Sequence, residues 1–121
     1  MKVFLVEDSP LLRERVCILL ASVPGANLVG HAATAQDALE GIRASNPDVV
    51  VLDIQLDRGS GFDVLRELRG SAPRIDVYML TNFASDSYRI VAERHGARGF
   101  FDKSTEFSRL REVLTARASA A

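Results

Sequence analysis

The sequence has little of what would support a disulfide-linked or membrane-anchored protein. Cys17 is its one cysteine, so no intramolecular disulfide can form. No apolar run reaches the roughly 18 residues that cross a membrane, and Met1 and Lys2 lead directly into a strand-like segment rather than a signal peptide. We therefore expect a cytoplasmic protein with no membrane partner. Cys17 lies in the apolar stretch RVCILLASV, which predicts a packed thiol rather than a reactive one.

An excess of charge of one sign is also absent. The chain has 15 Lys and Arg against 16 Asp and Glu, which leaves a formal net charge of −1 at pH 7. Without a basic patch, direct binding to nucleic acid is not expected. The 121 residues are 47% hydrophobic and 26% charged, values typical of one globular domain, which we expect to cover residues 1–121.

Short apolar runs recur along the chain, and each gap between them is wide enough for a helix. The runs begin near Val3, Asn27, Val49, Ile75 and Gly99. This spacing predicts an alternation of strands and helices. The helix-start signals are Ser9 with Pro10, Thr34 with Asp37, and Ser104, and the helix-end signals are Asn46 with Pro47, Gly70 and Gly96.

Strands joined by helical crossovers pair in parallel, and nearly uninterrupted apolar strands such as VVVL indicate a sheet covered on both faces. The sequence therefore predicts an α/β fold with helices on both faces of a doubly wound, five-stranded parallel sheet. Five strands fit the flavodoxin-like order 2-1-3-4-5, in which a site forms at the carboxyl edge between strands 1 and 3.

Acidic residues directly follow the first and third strands. Glu7 and Asp8 come after VFLV, and Asp53 comes after VVVL. Because neighbouring strands lie about 4.8 Å apart, these carboxylates converge and repel one another. Either some of them stay protonated with coupled titration, or a hard cation lies among them. An all-oxygen cluster that is partly open to water favours Mg²⁺.

Two further side chains are predicted at the same edge of the sheet. Thr81 ends the fourth strand and offers a hydroxyl, and Lys103 follows the fifth strand and offers an ammonium. Around Asp53 these groups would form a receptor for a phosphoryl group. In this interpretation the aspartate attacks phosphorus, while Lys103, Thr81 and Mg²⁺ neutralise the phosphoryl oxygens.

At these residues the chain resembles the receiver domains of two-component response regulators over essentially its whole length. The matching motifs are VEDSP, VVVLD, MLTN and GFFDKS. The resemblance implies that Asp53 is phosphorylated and that Thr81 and Lys103 contact the phosphoryl group. The metal ligands that it implies are Glu7, Asp8, Asp53 and the backbone carbonyl of Gln55.

The resemblance also implies how the signal leaves the site. Phe100 matches the aromatic residue whose rotamer reports the state, so Thr81 and Phe100 form the implied switch. A phosphoryl group would draw Thr81 toward it, and Phe100 would rotate inward into the space behind strand 4. The change would alter the face formed by helix 4, strand 5 and helix 5, which would bind a downstream protein or a second copy. The phosphodonor would be a sensor histidine kinase or a phosphotransfer protein.

Four positions bear on how such a site is tuned. Receivers commonly have proline where Asp57 and Ser104 stand here. The first departure leaves the rigidity of the loop open, and the second predicts a different turn before the last helix. Gln55 and Phe83 flank the path of water to phosphorus, and the apolar Phe83 predicts slower hydrolysis of the phosphoryl group than in a variant with Glu at this position.

Two alternatives compete with this interpretation. A phosphatase of the haloacid dehalogenase group also forms an aspartyl phosphate, but it typically has a second Asp two residues after the nucleophile, where this chain has Gln55. A degenerate receiver that binds partners without phosphorylation is disfavoured by the complete set of acids, Thr and Lys. We therefore expect a phosphoacceptor rather than a turnover enzyme. The sequence leaves open whether it is a stand-alone regulator or part of a longer protein.

Overall fold

A computed structural model describes residues 1–82 and 84–120, and within them five strands alternate with five helices. The strands are β1 (Lys2–Val6), β2 (Asn27–Ala32), β3 (Val49–Leu52), β4 (Asp76–Thr81) and β5 (Gly99–Asp102). The helices are α1 (Pro10–Ala21), α2 (Ala35–Ser45), α3 (Gly61–Ser71), α4 (Asp86–Arg94) and α5 (Phe107–Ser119). The predicted alternation is confirmed.

The strands form one parallel sheet in the order β2-β1-β3-β4-β5. This is the flavodoxin-like, doubly wound order that the sequence predicts. Each face of the sheet carries its own apolar core, and β3 contributes to both. Val50 and Leu52 pack with α2, α3 and Ala92 of α4, whereas Val49 and Val51 pack with α1 and α5. A strand covered on both faces has no solvent-facing positions, which is why VVVL shows no polar alternation.

The strand register sets which residues meet at the carboxyl edge. Val6 pairs with Leu52 across β1 and β3, so the residues after each strand, Glu7 and Asp53, emerge side by side. At the other end of this edge, Thr81 pairs with Asp102 across β4 and β5. The predicted site residues therefore leave the sheet along a single edge.

Several helix boundaries follow the predicted local chemistry. The hydroxyl of Ser9 accepts a hydrogen bond from the Leu12 amide at the start of α1, and Thr34 caps α2 in the same way. Helix α2 ends at Asn46, which has a left-handed backbone with φ of 51°. Gly96 follows α4 with φ of 86°, a conformation that favours glycine.

Two boundary predictions are wrong. Ser104 does not cap α5, because its amide and hydroxyl both donate to Asp102 Oδ1 in the preceding turn, and Glu106 holds the cap position. Gly70 does not end α3 but lies inside it, and a Cβ built there meets no atom within 4 Å. The helix therefore continues past this exposed glycine to Ser71, and Ala72 is its C-cap.

The prediction of a packed Cys17 thiol is also wrong, because this side chain is exposed. The apolar run of α1 is longer than the stripe that one helix can bury. Val16, Leu19 and Leu20 occupy that stripe, and Cys17 and Ile18 fall outside it. Among residues 1–82 and 84–120, no helix combines the length and apolar character that crossing a bilayer requires.

Candidate functional site

Asp53 lies at the first position after β3 and is 6% exposed. Its backbone amide still donates to Val6 O at 3.0 Å, which continues the pairing with β1. Both carboxylate oxygens have donors. The Ile54 amide donates to Oδ1 at 2.7 Å, and the Lys103 ammonium donates to Oδ2 at 2.7 Å. The carboxylate is therefore held in one orientation at the sheet edge.

Lys103 bridges two buried acids. Its Nζ lies 2.5 Å from Glu7 Oε1 as well as 2.7 Å from Asp53 Oδ2. The Ser9 amide donates to the second oxygen of Glu7 at 3.1 Å. Burial raises the pKa of Glu7, and the hydrogen bond from Lys103 acts in the opposite direction. One ammonium thus compensates much of the repulsion that the sequence predicts between these acids.

The third acid completes a cluster that can hold a cation. One carboxylate oxygen from each of Glu7, Asp8 and Asp53 lies within 4.8 Å of the others, and Asp8 is the most open of the three. These acids line a cleft of about 530 Å³ that also contains Gln55, Asp57 and Asn82. Oxygen donors with one side open to water fit a hard divalent cation such as Mg²⁺ or Mn²⁺.

Thr81 and Phe100 lie behind this cleft. Thr81 is fully buried at the end of β4, and its carbonyl accepts a hydrogen bond from the Lys103 amide at 3.0 Å. Phe100 is 5% exposed and lies under the Arg89 guanidinium, 4.8 Å from the ring centroid. The Phe100 ring is buried in this conformation, and its predicted role as a switch with Thr81 stays a prediction.

Asp57 and Ser104, which stand where receivers commonly have proline, both donate backbone hydrogen bonds. The Asp57 amide donates to Ala33 O at 3.1 Å, a bond that proline cannot make, and the Ala35 amide donates to Arg58 O at 2.9 Å. These bonds join the loop after Asp53 to the loop before α2. Ser104 forms the turn with Asp102 described above. Phe83 lies outside the described residues, so the expectation of slow hydrolysis stays a prediction.

Two residues at or near the site were missed in the sequence. A Cβ on Gly61 would lie 1.9 Å from the Asp53 carbonyl oxygen, so only glycine lets α3 start this close to the phosphoacceptor candidate. In the sequence, a glycine directly after the Ser60 cap is the signal that indicates such a close approach. Arg89 contacts both Phe100 and Glu106. An arginine on an exposed helix gives no signal of such contacts.

A family model of the response regulator receiver domain matches residues 3–115. The chain belongs to this family. A receiver is a phosphoacceptor switch of a two-component system rather than a turnover enzyme, so the phosphatase alternative is set aside. Its acidic pocket of Glu7, Asp8 and Asp53 fits phosphorylation-dependent signalling, and membership implies a partner histidine kinase.

Individual relatives agree with this assignment. The receiver is 33% identical over 130 residues to the DNA-binding transcriptional activator DevR/DosR of Mycobacterium tuberculosis, covering 99% of this chain and 60% of that protein. The chain spans between 46% and 60% of the length of the first three curated relatives.

Solved structures show the same fold. A LuxR-family two-component response regulator from Aurantimonas sp. SI85-9A1 is 28% identical with a TM-score of 0.90, covering 98% of this chain and 85% of that one. The receiver domain of the putative response regulator NarL from Mycobacterium tuberculosis is 28% identical with a TM-score of 0.87, covering 99% and 97% of the two chains.

Proposed function

We propose that this receiver accepts a phosphoryl group on Asp53 from a sensor histidine kinase or a phosphotransfer protein. One carboxylate oxygen forms a bond to phosphorus as the bond from phosphorus to the donor imidazole breaks, and the electron pair of that bond stays on the imidazole nitrogen. The observation that carries the proposal is the Asp53 carboxylate, fixed by Ile54 and Lys103 at the mouth of an acidic cleft.

Lys103 and Thr81 would stabilise the transferred group. Lys103 already lies at hydrogen-bond distance from Asp53, so a small displacement of its ammonium would bring it to a phosphoryl oxygen. Thr81 ends the strand next to β3 and offers a hydroxyl on the same edge. Both groups would offset the negative charge that phosphorylation adds, about −1.5 to −2 at pH 7.

The same proposal gives the receiver a Mg²⁺ cofactor. Glu7, Asp8 and Asp53 would hold the ion, with the Gln55 backbone carbonyl as a further ligand, because the three carboxylates converge on one cleft that Gln55 also lines. A bound divalent cation supplies charge neutralisation between the aspartate and the incoming phosphoryl oxygens. Lys103 would then be displaced from at least one of its two acids.

Labelling tests this chemistry. The protein is incubated with acetyl phosphate and Mg²⁺, and its intact mass is compared with that of Asp53→Asn. We expect the wild type to gain one phosphoryl group that is lost in base, and the variant to gain none. Asp57→Asn, which changes an exposed acid in the same cleft, is the matched control and should label normally. Equal labelling of Asp53→Asn would contradict the assignment.

We further propose that the output is a change in protein contact at the face formed by α4, β5 and α5. A downstream protein or a second copy would bind there, and direct contact with nucleic acid is not part of the proposal because the net charge is −1. Support comes from the adjacency of Thr81 at the site to β5, whose residue Phe100 lies beneath α4. Residues 1–121 would act as one receiver unit. Any further domain would respond to the state of the receiver by contacting this face.

Amide exchange tests the output route. Exchange is measured with and without beryllofluoride and Mg²⁺, which mimic the phosphoryl group. We expect changes in α4, β5 and the start of α5 in addition to the loops around Asp53. Changes confined to those loops would contradict the proposed face.

A further inference from the structure

Helix α4 has little apolar attachment to the rest of the protein. Ala92 is the one residue of Asp86–Arg94 that is buried. Tyr88 and Ile90, the large apolar side chains nearest its start, are 40% and 49% exposed. Since buried apolar area supplies most of the energy that holds a helix in place, a helix with this little buried area depends on its polar contacts as well.

Arg89 makes polar contacts that join α4 to β5 and to the residue before α5, whereas Tyr88 packs against Phe62 of α3 with ring centroids 5.7 Å apart. Its Nη1 donates to the Phe100 carbonyl on β5 at 2.9 Å, and its guanidinium lies over the Phe100 ring at 4.8 Å. Its Nη2 lies 3.6 Å from Glu106 Oε1, directly before α5. We call these residues, Arg89, Phe100 and Glu106, the Arg89 cluster. One side chain of α4 therefore contacts β5 and the N-cap residue of α5 in the proposed output face.

The cluster also reaches the turn that carries Lys103. Glu106 Oε1 accepts a hydrogen bond from the Asp102 amide at 3.0 Å, and Asp102 immediately precedes Lys103. The other Glu106 oxygen lies 3.2 Å from Arg109 Nη1. The carboxylate thus holds the β5–α5 turn on one side and Arg89 on the other. A movement of Lys103 and a release of Arg89 would therefore both displace the segment between Asp102 and Glu106.

We propose that Arg89 is a positioning residue that keeps Phe100 in its buried conformation and holds α4 against β5 and α5. The ring cannot turn outward without displacing the guanidinium that covers it. The ion pair with Glu106 is partly exposed, with side chains 38% and 19% exposed, so it contributes little alone. The planar guanidinium matters because it stacks on the ring and donates to a backbone carbonyl at once.

This inference rests on the proposed function only for its role in signalling, since the cluster exists without a phosphoryl group. The test therefore uses the unphosphorylated protein in both the wild-type and Asp53→Asn backgrounds. If Asp53 is not labelled by acetyl phosphate, the conclusion about the Arg89 cluster still stands. If substitution of Arg89 has no effect, the assignment of Asp53 as phosphoacceptor still stands.

The experiment compares Arg89→Ala, Arg89→Lys and Arg94→Ala. Arg94 is the matched control, because it is an exposed arginine in the last turn of the same helix. Amide exchange is followed along the chain, and the Phe100 ring is followed by NMR after selective labelling. We expect exchange in α4 to become about tenfold faster in Arg89→Ala, as for the loss of one charge-assisted hydrogen bond, with a shifted Phe100 signal. Exchange in α1 to α3 should be unchanged.

The Arg89→Lys variant separates the contribution of the planar guanidinium from that of the positive charge. Lysine keeps the positive charge near Glu106 but has no planar group to stack and donate together, so we expect it to behave like Arg89→Ala. Arg94→Ala should match the wild type. The inference is overturned if Arg89→Ala leaves α4 exchange and the Phe100 signal unchanged, if Arg94→Ala gives the same effect, or if Arg89→Lys restores the wild-type behaviour in full.

Discussion

Lys103 and Asp53 form an ion pair with 2.7 Å between Nζ and Oδ2, and their side chains are only 4% and 7% exposed. A lysine in this position compensates the buried carboxylate before any phosphoryl group arrives. The same ammonium also lies 2.5 Å from Glu7, so it contacts two of the three acids that would hold the proposed cation. The pair therefore connects the stability of the unphosphorylated receiver with its chemistry.

Replacing Lys103 by methionine should destabilise the protein in the presence of a chelator. The change leaves Glu7 and Asp53 buried without their shared cation, and breaking a buried pair in this way costs about 3–5 kcal/mol. Added Mg²⁺ should recover part of the loss, because it can neutralise the same acids. Denaturant unfolding with chelator and with Mg²⁺ measures both effects. A Lys103→Met protein as stable as the wild type in chelator would contradict this account.

Divalent metal binding should depend on the clustered acids and not on every acid in the cleft. Asp8→Asn removes a member of the cluster and should weaken Mg²⁺ or Mn²⁺ binding by roughly tenfold or more, since changes even in outer-shell partners of a metal cost this much. Asp57→Asn, in the same cleft but outside the cluster, is the matched control. Calorimetric titration of each variant with Mg²⁺ or Mn²⁺ measures the two affinities. An equal loss of affinity in both variants would indicate a general charge effect.

Two glycines in α3 should respond to alanine in opposite directions. Gly61→Ala places a Cβ 1.9 Å from the Asp53 carbonyl oxygen and should lower the free energy of unfolding by about 1–3 kcal/mol. Gly70→Ala meets no atom within 4 Å and should raise it by up to about 1 kcal/mol, because alanine favours the helix. Urea unfolding of both variants measures the two changes in the free energy of unfolding. Similar effects in both would refute the close approach at Gly61.

The turn before α5 should set the ionisation of Asp102. The side-chain hydrogen bond from Ser104, followed by its backbone hydrogen bond, holds the pKa of Asp102 below its usual value. Ser104→Ala removes the first of these, so the pKa should rise toward the ordinary value of about 3.9. NMR titration of the Asp102 carboxyl carbon measures it. An unchanged pKa would show that the hydroxyl is not a donor in solution.

The sign of the associated pH effect follows from that lowered pKa. A carboxyl whose folded pKa is depressed stabilises the fold above its unfolded pKa and loses this contribution as pH falls through the folded value. The wild type and Ser104→Ala should therefore differ in stability above about pH 4 and converge in stronger acid.

The sequence predicts the sheet and its carboxyl edge well because both depend on local pattern. A strand buried on both faces must be a continuous apolar run, and the first charged residue after it marks the edge, as Leu52 and Asp53 do. Parallel pairing then brings Glu7 and Asp53 together without any further information.

What the sequence does not predict depends on tertiary packing. The apolar run of α1 does not show which of its residues face solvent, so the run wrongly predicts a buried Cys17. The hydrophobic character of Phe100 does not reveal that Arg89 covers it. Ser104 could cap a helix or close a turn, and only the nearby carboxylate of Asp102 decides between the two.

The most direct test of the central claim is to locate the phosphoryl group itself. The receiver is phosphorylated with acetyl phosphate and Mg²⁺, trapped with borohydride, which reduces an acyl phosphate to an alcohol, and digested for peptide sequencing by mass spectrometry. The account predicts that Asp53 alone among the acids is converted to homoserine, and that omission of Mg²⁺ greatly lowers the yield. Conversion at Asp8 or Asp57 with Asp53 intact would contradict it.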